Sequence, residues 1–205
     1  MFVIGLTGGS GCGKSLVSEV LSRFSVECLD TDALYHSLVS RPSLCTRKIA
    51  EAFGENVLLP NGGIDREKLG KIVFAATEEG KEKLLLLNRI SHACITAECE
   101  KIMTKAAAEG EKVFLLDAPL LFEAGLDRVC RTTCAVLSPK KVRIARIMQR
   151  DGITEEKAEM RIEAQKSDDY YRTRADFIFV NDRDILSFQK QISDWYSLFI
   201  LPKIL

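Results

Sequence analysis

The sequence predicts an α/β protein with a five-stranded parallel sheet flanked by helices, and three observations lead there. Short apolar runs at 2–6, 26–29, 112–116, 133–137 and 177–180 recur between longer stretches with helical spacing. Each run is apolar throughout instead of alternating, as expected of strands covered by helices on both faces. Strands separated by helix-length segments connect in parallel. The third observation is local. Between the first run and the first helix lies Gly8-Gly9-Ser10-Gly11-Cys12-Gly13-Lys14-Ser15, which matches G-x-x-x-x-G-K-[ST] at every fixed position.

The first element, 2–6, feeds straight into that loop, and Leu16, Val17, Val20, Leu21 and Phe24 behind it are spaced as one helix face. A strand, a glycine loop and a helix N-terminus in this order form a phosphate-binding loop. Glycines permit positive φ and bring bare N–H groups close to a polyphosphate, while the helix start adds partial positive charge. The loop therefore predicts a nucleoside triphosphate ligand held by Gly11, Cys12, Gly13, Lys14, Ser15 and Leu16. Lys14 would reach the β- and γ-phosphates, and the Ser15 hydroxyl would ligate Mg²⁺.

After the second run comes Asp30-Thr31-Asp32. An acid at this strand end fits either a proton acceptor near the γ-phosphate or an N-cap for the next helix. Residues 31–111 then read as helices, clearest at 64–76 and 79–108, an insertion over the sheet's carboxyl edge where ligands bind in open α/β folds. The third run ends in a single acid, Asp117, followed by Ala118 and Pro119. A second insertion, 138–175, carries ten Lys/Arg against seven Asp/Glu. Arg143, Arg146 and Arg150 fall on one helix face, and Arg161 and Gln165 repeat an i, i+4 relation. Alone this is a solvated charged surface; beside a phosphate loop it fits a mobile cationic lid. Residues 185, 188, 192, 195 and 199 predict an amphipathic closing helix.

Composition narrows the function. Lys plus Arg equals Asp plus Glu, so no global field favours nucleic acid or an anionic membrane. No apolar stretch approaches the ~18–20 residues that span a bilayer, and the N-terminus lacks the basic region of a signal peptide. Seven scattered cysteines resemble neither a disulfide framework nor a zinc site, which points to a cytoplasmic protein. No obligate protein partner is evident. A GTPase would carry N-K-x-D, and a motion-coupled ATPase an acidic pair where Asp117 stands alone. A small-molecule kinase remains, with an ATP-dependent binding switch as the weaker alternative.

At this point the chain resembles dephospho-coenzyme A kinases. The resemblance rests on Gly5–Ser15, Asp30-Thr31-Asp32, Asp117-Ala118-Pro119-Leu120-Leu121-Phe122-Glu123, Arg150-Asp151-Gly152-Ile153-Thr154, Arg161-Ile162-Glu163-Ala164-Gln165 and Ala175-Asp176-Phe177, in family order over nearly the whole chain. It implies a P-loop NTPase fold of the nucleoside monophosphate kinase-like type. The nucleotide core would comprise residues 1–32, 111–137 and 176–205, the acceptor-binding insertion 33–110 and the helical lid 138–175. It further implies transfer of the ATP γ-phosphoryl group to the 3′-hydroxyl of 3′-dephospho-coenzyme A with Mg²⁺. Asp32 would be the base, Lys14 and Arg150 the catalytic cations, and Arg146 an ATP contact. Asp32, His36, His92, Phe122, Glu123 and Arg161 are the acceptor-side candidates. His92 equally fits a cap or buried hydrogen bond, and Pro119-Leu120-Leu121 before Phe122 and Glu123 equally fits packing under the sheet's edge. Two positions depart from the family: His92 precedes Ala93 instead of proline, and His36 stands where arginine is common. A nucleoside monophosphate or sugar is the alternative acceptor.

Overall fold

The computed structural model describes residues 1–204. They form two compact units, Met1–Leu29 with Lys105–Leu205 and Asp30–Thr104. In the first unit a five-stranded parallel sheet has the order β2-β3-β1-β4-β5, built from β1 (Phe2–Thr7), β2 (Glu27–Asp30), β3 (Val113–Asp117), β4 (Thr132–Leu137) and β5 (Phe177–Val180). β1 is central: Ile4 is in register with Leu115 on one side and Thr132 on the other. The chain moves out to β2, returns to β3 and then crosses to β4, so the order reverses beside β1. Ligand clefts of open α/β sheets form at such a reversal, beyond the carboxyl ends of the strands.

The inner strands are apolar for the predicted reason. β3 and β4 are almost entirely buried, with Phe114, Leu115, Leu116 and Val136 at 0 % exposure. β2 departs from that expectation. It is an edge strand whose residues are largely exposed, and the run's one deeply buried residue, Val26, precedes it and joins the core. One sheet face is closed by α1 (Lys14–Ser22), which contributes Val17, Val20 and Leu21, and by α9 (Ile185–Trp195), which contributes Phe188, Ile192 and Trp195. Phe179 of β5 meets Trp195 and Phe188 edge-on at 5.2 and 6.4 Å between ring centres, a favourable aromatic geometry. The closing helix is amphipathic as predicted, but Ile185 and Phe199 do not lie on its buried side. Ile185 is 63 % exposed, and residues 196–200 widen into a π turn that breaks the 3.6-residue phase before Phe199.

The 138–175 segment is three helices: α6 (Lys140–Asp151), α7 (Glu155–Glu163) and α8 (Asp168–Arg172). α6 and α7 share a small core of Ile144, Ile147, Ala158 and Ile162, while Tyr171 of α8 packs with Ala135 and Leu137 of β4. Gln165 lies beyond the end of α7, so Arg161 and Gln165 do not share the predicted helix face. Serine, threonine or aspartate caps start α7, α8 and α9 at Thr154, Ser167 and Asp184.

The second unit is helical, with α2 (Thr31–Ser40), α3 (Leu44–Phe53), α4 (Arg66–Val73) and most of α5 (Glu78–Ala108). Val39, Cys45, Ile49, Val57, Ile64, Leu69, Val73 and Cys94 make it a core of its own. Ser43 and Thr46 cap α3 reciprocally, and Asp65 caps α4. No disulfide joins the cysteines, and no helix among the described residues is long and apolar enough to cross a membrane.

Truncating Ile192 to alanine should destabilise the protein by ~2–5 kcal/mol through a core cavity. Ile185→Ala should stay within ~0.5 kcal/mol, as exposed positions do. Denaturant midpoints compare the two, and equal losses would contradict this phase for α9.

Candidate active site

β1 ends at Thr7, and the glycine loop crosses the sheet edge before α1 begins at Lys14. Gly8, Gly11 and Gly13 have φ of 141°, 78° and 99°, conformations that suit only glycine without strain. Two of them also admit close neighbours: a Cβ on Gly8 would lie 2.5 Å from Val136 O, and one on Gly11 2.8 Å from Arg143 O. No side chain caps α1, whose N-cap residue is Gly13. The first-turn N–H groups of a helix have no intrahelical partner, and here an anion can take that place.

The loop's carbonyls, by contrast, are bound. Lys14 Nζ donates to Gly8 O at 3.0 Å and Arg143 Nε to Ser10 O at 3.0 Å. Arg146 Nη1 donates to Gly11 O at 3.2 Å, and Asn181 Nδ2 to Cys12 O at 2.9 Å. Asn181 follows β5 and is buried; its own Oδ1 accepts from Arg146 Nη2 at 3.2 Å, and Ser138 Oγ donates to its carbonyl at 2.7 Å. Gln165 Oε1 accepts both from Ser10 N at 3.0 Å and from Arg143 Nη2 at 2.7 Å. Arg143 is only 5 % exposed, and its bonded partners are these neutral oxygens, with no carboxylate in ion-pair contact among the described residues. A buried cation without a counter-charge is costly, so this site is electrostatically incomplete without an anion. The sequence showed Arg143 only as one of three spaced arginines, and nothing marked Asn181. Their roles depend on chain segments brought together from far apart.

The remaining candidates of this unit fall in two groups. Arg150 Nη2 donates to Ser10 Oγ at 3.1 Å, and both Arg150 and Arg161 pair with Asp151. Arg150, and to a lesser degree Arg161, lower the Asp151 pKa to about 2, so it stays ionised near neutrality. Arg161 thus belongs with Arg150 at the junction of α6 and α7. Phe122 meets Tyr170 edge-on at 6.2 Å, and Arg174 lies over the Tyr170 ring at 4.0 Å. Glu123 has a buried Oε2 without a hydrogen-bond partner and raises the pKa of neighbouring Tyr170 and Tyr171, second to burial in each case. Cys12 is buried, and burial raises its thiol pKa despite Arg143 and Lys14, keeping negative charge out of the loop.

A divalent ion fits these residues. Ser15 is exposed in the first turn of α1, and Asp117 ends β3, where its Oδ2 lies 3.5 Å from Ser18 Oγ. No cluster of three or more acidic, histidine or cysteine ligands exists among the described residues. Mg²⁺ in general uses one or two protein ligands together with substrate phosphates and water.

In the second unit, Asp30 Oδ1 accepts from Asp32 N at 2.8 Å and Ala33 N at 3.0 Å, so Asp30 is the N-cap of α2. Asp32 and His36 are exposed on α2, and Arg66 Nη1 lies 3.1 Å from His36 Nδ1. His92 is in the middle of α5 and not at a helix start.

A parallel sheet with a glycine loop at its reversal, an uncapped helix behind it and arginines around it defines a P-loop kinase of small molecules. The family model for dephospho-CoA kinase matches residues 2–187. The dephospho-CoA kinase of Bacillus licheniformis is 37 % identical over 190 residues, covering 93 % of this chain and 92 % of the relative. That of Arabidopsis thaliana is 34 % identical, covering 93 % and 81 %. The solved dephospho-CoA kinase of Campylobacter jejuni superposes with a TM-score of 0.69 at 27 % identity, covering 95 % of both chains. The chain belongs to the dephospho-CoA kinase family.

Replacing Arg143 with methionine should leave the melting temperature without nucleotide near that of wild type, since a costly buried charge is lost together with its hydrogen bonds. The rise produced by saturating MgATP should shrink, because that rise scales with affinity for the folded state. Thermal melts with and without MgATP decide this. An undiminished rise would detach Arg143 from the phosphates.

Proposed function

We propose that the chain transfers the γ-phosphoryl group of ATP to the ribose 3′-hydroxyl of 3′-dephospho-coenzyme A, giving coenzyme A and ADP, the last step of coenzyme A synthesis. The observation that carries the phosphate half is the buried, carboxylate-free Arg143 beside the uncapped start of α1. Loop amides and Lys14 cradle the β- and γ-phosphates, and Arg143 and Arg150 add charge where it accumulates in transfer. Arg146 is kept as an ATP contact; like Arg143 it also bonds a loop carbonyl, Gly11 O, and it bonds Asn181 besides. Ser15, with Asp117 nearby in the fold, would hold Mg²⁺, which neutralises the phosphate oxygens when bound.

On the acceptor side Asp32 takes the hydroxyl proton, the freed oxygen bonds to the γ-phosphorus and ADP leaves. The two backbone bonds to Asp30 support this division, because they commit Asp30 to the helix start. Phe122, Glu123, His36, His92 and Arg161 are retained as acceptor contacts. The segment 138–175 acts as the lid, tied to the phosphate loop through Arg143 and Arg146 of α6. The enzyme would work in the cytoplasm without nucleic acid, membrane or an obligate protein partner.

ADP release measured in parallel with dephospho-coenzyme A, adenylate, cytidylate and gluconate tests the acceptor, and preference for one of the last three would replace it. Asp32→Asn should lower kcat by ~10²–10⁴-fold with ATP affinity retained. Asp30→Asn should mainly cost stability, ~1 kcal/mol for a weakened cap. The reverse ranking in kcat would exchange their roles. Lys14→Ala should leave less than about a tenth of wild-type turnover, a loss of at least ~1.4 kcal/mol in transition-state binding. Ser15→Ala should raise the Mg²⁺ concentration needed for half-maximal rate, and an unchanged Mg²⁺ titration would remove Ser15 from the metal.

A further inference from the structure

The side-chain oxygen of Gln165 accepts two hydrogen bonds at once, from Ser10 N at 3.0 Å and from Arg143 Nη2 at 2.7 Å. The first donor is a backbone amide of the phosphate loop, and the second belongs to the buried guanidinium. Gly9 leaves room for this approach, since a Cβ there would lie 2.8 Å from Gln165 Oε1 and closer still to Arg143 Nη2. Arg143 is also fixed through Nε to the Ser10 carbonyl, so its aim at the loop does not depend on Gln165 alone. Gln165 itself stands between two helices. Its N–H donates to Ile162 O at 3.1 Å at the end of α7, and Ser167 caps α8 just beyond it.

A carboxamide oxygen on two anion-site donors has the hydrogen-bonding pattern of a phosphate oxygen, but it carries no charge. Hydrogen bonds with an ionised partner are about twice as strong as neutral ones, and an anionic oxygen meets the guanidinium with charge on both sides. A phosphate oxygen therefore displaces the amide. We infer that Gln165 is a stand-in for an oxygen of the ATP γ-phosphate. It satisfies Ser10 N and Arg143 Nη2 in the free enzyme and gives both up when the γ-phosphate binds. The inference rests on placing Arg143 at the transferring phosphoryl group. ADP has no γ-phosphate and leaves Gln165 on its donors, so the contact separates the substrate nucleotide from the product nucleotide. It ties that difference to the α7–α8 junction, which Gln165 holds to the loop with ADP and releases with ATP. Gln165 is thus a positioning residue that acts through Ser10 and Arg143.

The test compares wild type, Gln165→Leu and Gln165→Glu in titrations with MgADP and with the Mg²⁺ complex of a non-hydrolysable ATP analogue, alongside melting temperatures. Leucine keeps the volume of the side chain but accepts no hydrogen bond. The competition is then gone, and preference for the ATP analogue over ADP should rise by about tenfold, the scale of one hydrogen bond to a charged group. Glutamate offers a charged oxygen to the same two donors. Its preference for the analogue should fall by about tenfold or more, and this variant keeps the comparison decisive if leucine disturbs the fold. A role in folding alone would shift melting temperatures and leave the ratio of the two affinities unchanged in both variants, which overturns the inference. So does a lower analogue preference in Gln165→Leu, because Gln165 would then stay on Arg143 with the nucleotide bound. An undiminished stabilisation of Arg143→Met by MgATP overturns the phosphate-site reading itself, whatever the Gln165 variants show.

Discussion

A loop that binds phosphate through its amides must have its carbonyls held elsewhere, because both belong to the same peptide planes. Here the Gly8, Ser10, Gly11 and Cys12 carbonyls are held by Lys14, Arg143, Arg146 and Asn181. These donors come from α1, α6 and the end of β5, so the loop's conformation depends on the whole sheet order that brings β4 and β5 beside β1. Positive φ at Gly11 and Gly13 completes the constraint. The anion site is a consequence of how the carbonyls are occupied.

The same arrangement sets stability against function. Arg143 is buried among neutral oxygens, an unfavourable place for a charge unless phosphate arrives. Burial also raises the Cys12 pKa, so the thiol adds no competing negative charge. Away from the site, the exposed i, i+4 pairs such as Lys71 with Glu67 contribute little, as surface pairs do. Lys14, Arg143, Arg146 and Arg150 thus gather positive charge around the loop that follows β1.

The second unit is organised by helix caps and a small apolar core. Asp30 starts α2 and thereby orients the turn that carries Asp32, so one acid builds the support for the other. The same helix brings His36 to Arg66 of α4, a contact between residues 30 positions apart in sequence.

Strand positions, the loop and the long helix 78–108 were legible because each depends on local spacing: continuous apolar runs, fixed glycines and 3.6-residue periodicity. The exposed edge position of β2 was not, since burial of a strand depends on its neighbours in the sheet and not on its own composition. The π turn after Trp195 likewise shifted a phase that periodicity alone would continue. Asp30-Thr31-Asp32 allowed two roles for its acids; backbone hydrogen bonds gave capping to Asp30. The sequence by itself determined that a phosphate loop is present and which family its motifs resemble, because glycine conformation and motif order are properties of short segments. Only the tertiary structure decided that Arg143 and Asn181 belong to the loop, that Arg146 supports it and that Arg66 stands beside His36. Each of those facts is a contact between distant segments, and spacing along the chain carries no record of them.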